Sequence, residues 1–157
     1  MTPSSFRKTG MALGFAAIAA VGVLAWTSQS SGSTATLVTK KGSFPIEVEV
    51  ADTPDSREVG LMNRETLGKD SGMLFDFGTT RAVDMWMKNT LIPLDMLFLD
   101  ETGRVVRIGA NAQPLSLELI SSGQPVRYVL EINGGAAARY GAAPGDRLEH
   151  SLIPPRQ

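Results

Sequence analysis

Between residues 85 and 100 the chain reads MWMKNTLIPLDMLFLD, and four polar residues, Lys88, Asn89, Thr90 and Asp95, stand there among side chains of core character. Asp95 lies on a segment whose two alternating faces, Leu94/Met96/Phe98 and Asp95/Leu97/Leu99, are both largely apolar. A carboxylate so placed must be paired, hydrogen-bonded or protonated, because desolvating it alone is too costly. Two chemistries meet that need. In one, Asn89, Thr90 or backbone amides donate to Asp95 and fix the turn before Pro93. In the other, Trp86 supplies an apolar wall, Lys88 a cation, Asn89 a two-way hydrogen bonder and Asp95 an acceptor, the mix of a small-ligand site. Arg64, just after Gly60, Leu61 and Met62, is a further candidate; a cation there also suits the end of a short helix.

Other chemistries lack their parts. The chain has no cysteine and no GxSxG, and its single histidine, His150, is close to the chain end, so no catalytic nucleophile is assigned. A hydrolase using Asp95, with Lys88 or Arg64 as electrostatic stabiliser, is kept as an alternative. Asp84, Asp95 and Glu131 could converge as paired carboxylates, although nothing in their spacing requires it. Met62, Met73, Met85, Met87 and Met96 are soft donors of the kind copper(I) accepts, but at strand spacing they read as core filling, and His150 has no companion ligand. No metal and no cofactor are expected. Arg127 and Glu131 share a strand face and read as a solvated edge pair, and Asn133, Gly134 and Gly135 read as a turn needing positive φ, without the lysine of a P-loop.

The elements that would position these residues are short and β-rich. Residues 44–50 alternate, with Phe44, Ile46, Val48 and Val50 on one face and Glu47 and Glu49 on the other. Thr53 and Pro54 supply a cap and first turn for a short helix running toward Met62. Strands are predicted over 72–77, 83–87, 94–99, 104–108, 126–132 and 147–152, with a hairpin turn at 100–103. A brief helix is predicted over 136–140, stopped by Gly141, and an irregular loop with one helical turn over 111–125. Helical patterns are too few to supply crossovers. The expected fold is therefore mainly β, an antiparallel sandwich or partly closed barrel with two or three short helices.

The first 35 residues form an export segment. Arg7 and Lys8 precede an apolar run over residues 10–26 and a Ser/Gly/Thr-rich stretch. This predicts a signal peptide or N-terminal membrane anchor over 1–35 and one β-rich domain over 36–157, periplasmic or on the outer face of the inner membrane. Ser33 and Ala35 are small enough for signal-peptidase cleavage; without cleavage the segment is a tether. Removing the two N-terminal bases from the chain's 15 leaves 13 Lys plus Arg against 16 Asp plus Glu. The exported part is thus acidic, which argues against a nucleic-acid partner. The partner is a small molecule or an envelope protein. Binding is favoured over catalysis, with a purely structural or protein-interaction domain as the other alternative.

Three separated stretches, VEVADTPDSREVGLMNRETLGKDSGMLFDF, MWMKNTLIPLDMLFLD and YVLEINGG, resemble the family known as domain of unknown function 192. The matching positions are Gly60, Leu61, Met62 and Arg64, then 72–75, 86–90, 93–95, Leu130, Glu131, Gly145 and Asp146. Asn63 and Met85 stand where the family usually has aromatics. The resemblance implies a compact, mainly β domain with small helices, often behind an export signal. It implies no established activity, so no catalytic residue is carried over.

Overall fold

The structure, a computed structural model, describes residues 32–155. The apolar run at 10–26 lies outside them. In chain order the elements are β1 (Ser33–Thr39), β2 (Gly42–Ala51), α1 (Pro54–Val59), β3 (Ser71–Arg81), β4 (Asp84–Met85), β5 (Leu94–Leu99), β6 (Val105–Ala112), β7 (Ile120–Ser121), β8 (Val126–Asn133), α2 (Ala136–Tyr140) and β9 (Arg147–Glu149). Seven strands form one sheet in the order β6-β5-β8-β3-β2-β1-β9, while β4 and β7 make a separate two-stranded ribbon. The edge strands of the large sheet are stapled together where Arg104 bridges Arg147 and the Leu148 amide donates to the Gly103 carbonyl at 2.8 Å. The sheet therefore curls into a half-barrel, the partly closed form of the two expected from sequence, and not a sandwich.

One pair breaks the antiparallel pattern. β2 and β3 run parallel, from Glu47 opposite Ser71 to Ala51 opposite Phe75. Parallel neighbours need a crossover, and α1 with residues 60–70 supplies it, which corrects the expectation that no helix would. Helix α1 starts as its sequence dictates. The Thr53 side chain accepts from the Ser56 amide at 3.1 Å, the Ser56 hydroxyl returns the contact to the Thr53 amide at 3.0 Å, and Pro54 opens the first turn. It ends at Gly60, whose φ of 47° other residues adopt at a cost, and so falls short of Met62.

β8 lies near the middle of the sheet and is covered on both faces. Tyr128, Leu130 and Ile132 enter one core with Leu37, Ile46, Leu74, Leu97 and the α2 residues Ala136, Ala137 and Tyr140. Val129 enters the opposite core with Met73, Phe75, Met96 and Phe98, beneath Leu61, Val83 and Met87. The second core is roofed by loops and the β4–β7 ribbon. Gly72 allows β3 to sit against β8, since a Cβ there would lie 2.4 Å from the Glu131 carbonyl oxygen.

Asp95 joins three elements on the α2 side of the sheet. Fully buried at 0% exposure, it accepts 2.8 Å hydrogen bonds from the amides of Asn111 and Ala137. The first steadies the end of β6, where Asn111 adopts φ 53° and the β5–β6 register slips between Leu94 and Met96. The second caps α2, whose own N-cap, Gly135, has no side chain to offer.

Several elements differ from their expected extents. β1 falls partly in the Ser/Gly/Thr-rich stretch, yet Ala35 is fully buried opposite Ile46. Cleavage after Ala35 would therefore take residues 33–35 out of the sheet. The strand expected over 83–87 shrinks to β4, and the 111–125 segment contains β7 and no helical turn. The last strand stops at Glu149.

Asp95→Ala strands two amide donors, each worth about 1–3 kcal/mol when left unsatisfied. Denaturant unfolding should show a loss of roughly 2–5 kcal/mol; a change below about 0.5 kcal/mol, the scale of ordinary surface substitutions, would contradict the assigned role.

Candidate functional site

The residues singled out in the sequence do not assemble as one cluster. Asp95 shares its strand face with Leu97 and Leu99, toward α2, while Met87 of the 86–90 segment packs in the core on the opposite face. Neither partner of Asp95 is Lys88, Asn89 or Thr90; both are backbone amides. Arg64 sits beyond the helix, in the 60–70 connection, where its guanidinium grips both carboxylate oxygens of Glu49 on β2, the Nη2 contact at 2.7 Å. That fork raises the Arg64 pKa above its ordinary value. A hydrolytic centre made of Asp95 with Lys88 or Arg64 is not present in this arrangement.

The 86–90 segment is also less buried than its apolar company suggests. Lys88 is half-buried, its ammonium 5.0 Å from the centre of the Trp86 ring. Asn89 is exposed at φ 54°, a conformation asparagine tolerates, and its carbonyl accepts from the Asn63 amide at 2.8 Å. Asn63 is itself at φ 59°, which suits Asn at a position where the family usually has an aromatic. Thr90 alone of the three is buried; its hydroxyl donates to the Lys88 carbonyl at 3.3 Å.

Glu131 is the residue that the sequence reading placed wrongly. It was expected to pair with Arg127 at a solvated edge; instead Arg127 pairs with Asp76 at 3.3 Å. Glu131 is 4% exposed, near the middle of the sheet, directly opposite Met73 on β3 and Met96 on β5. Among the described residues nothing donates a hydrogen bond to its carboxyl. It opens into a cavity of about 110 Å³ between α1 and the Trp86 segment, lined also by Arg57, Met62, Phe75, Phe77, Asp84 and Thr90. Of the five residues predicted to hold a ligand, Trp86 lines this cavity, 41% exposed at its mouth. Burial pushes the Glu131 carboxyl up to about 8, so it is a neutral acid at pH 7. The signal for it was present in the sequence: Leu130 and Ile132 flank it, and both faces of its strand are apolar, the criterion that marked Asp95.

The remaining features are less suited to a site. A larger open groove of about 860 Å³ runs past Asp100, Glu101, Arg104, Arg127 and Arg147. Its Asp100 carboxylate is engaged by the Thr102 and Arg104 amides, and Arg127 by Asp76. Ser33 Oγ lies 2.7 Å from His150 Nε2, which resembles a nucleophile and its base. The Leu152 amide, however, donates to Nδ1 at 3.2 Å, so Nε2 carries the proton and donates to Ser33, and burial lowers the His150 pKa. That imidazole takes no proton from the serine. Among the described residues no three His, Cys, Asp or Glu side chains gather as a metal site, and no helix is long and apolar enough to cross a membrane. On the surface, Leu115, Leu117 and Leu119 are exposed at 59%, 67% and 65%, and Leu115 is held at φ 64°.

A half-barrel of this topology has known relatives. The chain matches the model of DUF192, described as an uncharacterised family, over residues 36–150, and it belongs to that family. Two solved structures share the fold. One, from Sinorhizobium meliloti 1021 and described provisionally as a transcription regulator, is 50% identical with a TM-score of 0.75, covering 76% of this chain and 94% of that one. The other, a protein of unknown function from Novosphingobium aromaticivorans, is 39% identical with a TM-score of 0.74, covering 76% and 85%. No curated protein matches.

Because the folded pKa of Glu131 is raised above the ordinary 4.5, the folded state holds its proton where the unfolded chain has released it. Stability contributed by that proton is complete below about pH 4.5 and is lost as pH rises to about 8. Glu131→Gln should therefore gain on wild type across this window, by on the order of a few kcal/mol above pH 8. Paired thermal melts from pH 4 to 9 read the difference; a constant offset would contradict a buried neutral acid.

Proposed function

We propose that this chain is a small-ligand-binding module of the cell envelope, whose ligand enters between α1 and Trp86 and meets Glu131 at the cavity floor. One observation carries the reading. A buried acid with no donor, next to an unfilled space walled by Trp86, Phe75, Phe77 and Met62, is an expense to the fold that a ligand would offset. The lining combines apolar and aromatic surface with a few polar groups, the usual make-up of a ligand pocket. The order of charges, apolar run and polar stretch before residue 36 supports a location outside the cytoplasmic membrane.

A second reading, an envelope domain that docks another protein, is favoured by the exposed leucines 115, 117 and 119, since large apolar side chains gathered in one exposed segment suit a contact site. The two are separable because these leucines lie outside the cavity lining.

The chain has two tryptophans, so Trp26→Phe makes Trp86 the sole emitter of the full-length protein. Titration with small amine, alcohol and amide fragments should shift Trp86 emission saturably, and Trp86→Ala should weaken binding by calorimetry about tenfold or more, the effect of losing an aromatic wall. Leu117→Asp should leave this binding unchanged. Absence of any saturable response, with cross-linking to an envelope protein lost in Leu117→Asp, would instead support the docking reading.

A further inference from the structure

Resting on the binding reading, we infer that the ligand presents a protonated amine to Glu131, as a head of about four or five non-hydrogen atoms. The size follows from the cavity. At about 110 Å³ it is smaller than the roughly 150 Å³ apolar cavity that accepts benzene.

The charge follows from the lining. Three acidic residues line the space, Glu58 from α1, Asp84 from β4 and Glu131 from β8, against one lining cation, Arg57. Lys88 and Arg81 stand outside the lining, 5.0 Å from the Trp86 ring centre and 4.8 Å from the Phe77 ring centre. Arg57 is already engaged. Its guanidinium donates to the carbonyls of Asp52 at 2.6 Å and Asp76 at 2.8 Å, and stands 5.7 Å from the Phe77 ring centre. The strands flanking β8 add no charge, since the residues opposite Glu131 are Met73 and Met96. The rest of the wall is Trp86, Phe75, Phe77 and the thioethers Met62 and Met85. Trp86 and Phe77 already meet the protein's own cations, which leaves the Phe75 ring and the polarisable thioethers for the ligand. An anionic head would meet an excess of carboxyls and find Arg57 occupied. A neutral head would leave the acid protonated, so its binding would carry no rise with pH.

The ammonium keeps its own protons. On its entry the Glu131 carboxyl releases one proton to solvent, and the resulting carboxylate accepts hydrogen bonds from the ammonium N–H groups. Binding therefore couples to deprotonation of the buried acid. A neutral ligand that accepts a hydrogen bond from the acid would couple in the opposite sense.

Calorimetry on the full chain with butylammonium and its neutral isostere 1-butanol tests this. With a carboxyl near 8, butylammonium affinity should rise about thirtyfold from pH 6.5 to pH 9. At pH 6.5 its binding heat should vary with buffer ionisation by about one proton. 1-Butanol should bind with no such rise. Glu131→Gln should abolish the pH dependence, and Asp84→Asn, at an exposed position on the rim, should weaken butylammonium a few-fold while leaving 1-butanol unchanged. Binding of 1-butanol without stronger butylammonium binding at high pH would overturn the amine assignment and leave the pocket standing. Binding of neither would overturn both.

Discussion

A sheet covered on both faces offers a carboxyl little solvent, and this constraint decides what the two acids of the neighbouring strands β5 and β8 can be. Asp95 on β5 lies opposite Ile132, and its neighbour Met96 lies opposite Glu131 on β8. The pleat therefore sends the two carboxyls to opposite faces at almost the same height. Asp95 meets two amides, and in doing so ties β6 and α2 to the sheet. Glu131 meets Met73, Met96 and a cavity. One acid is spent on architecture, and the other is kept by a fold that gains nothing evident from it.

The roof over Glu131 is made of connections, and its shape depends on a few pinned backbone positions. The Asn63 amide reaches the Asn89 carbonyl, the Met87 amide the Ser116 carbonyl and the Leu115 amide the Thr90 carbonyl, at 2.8, 3.0 and 3.0 Å. Asn63, Asn89 and Leu115 all hold positive φ. For the asparagines this costs little; for leucine it is a strained choice that keeps an apolar side chain in solvent. The cavity exists because this roof is held by backbone bonds at its edges while its underside is not filled.

Much of the fold was legible in the sequence because its strands follow the two-residue period and its turns carry their own chemistry. β5 and its hairpin with β6, the Thr53 cap of α1 and the Gly141 end of α2 were all read from local signals. β1 was hidden because Ser, Thr and Ala dominate its start, and only its place between β2 and β9 makes it a strand. The parallel β2–β3 pair was hidden because a helix of one and a half turns and a long loop gave no crossover signature. In the site, Trp86 was found through its polar neighbours, whereas Lys88 is half-buried beside the ring and Asn89 is exposed, both outside the cavity lining. Glu131 was misjudged because Arg127, two positions along the same face, offered an apparent partner that the β-bulge beside Asp76 directs elsewhere.

The state of the Glu131 proton is the most direct test of this arrangement. Carbon-13 NMR of glutamate-labelled protein, with Glu131→Gln to assign the signal, follows the carboxyl through its titration. The structure predicts one glutamate that is protonated at neutral pH with a midpoint near 8. A Glu131 carboxyl that titrates in the ordinary range around 4.5 would contradict a buried, donor-free acid lining the cavity.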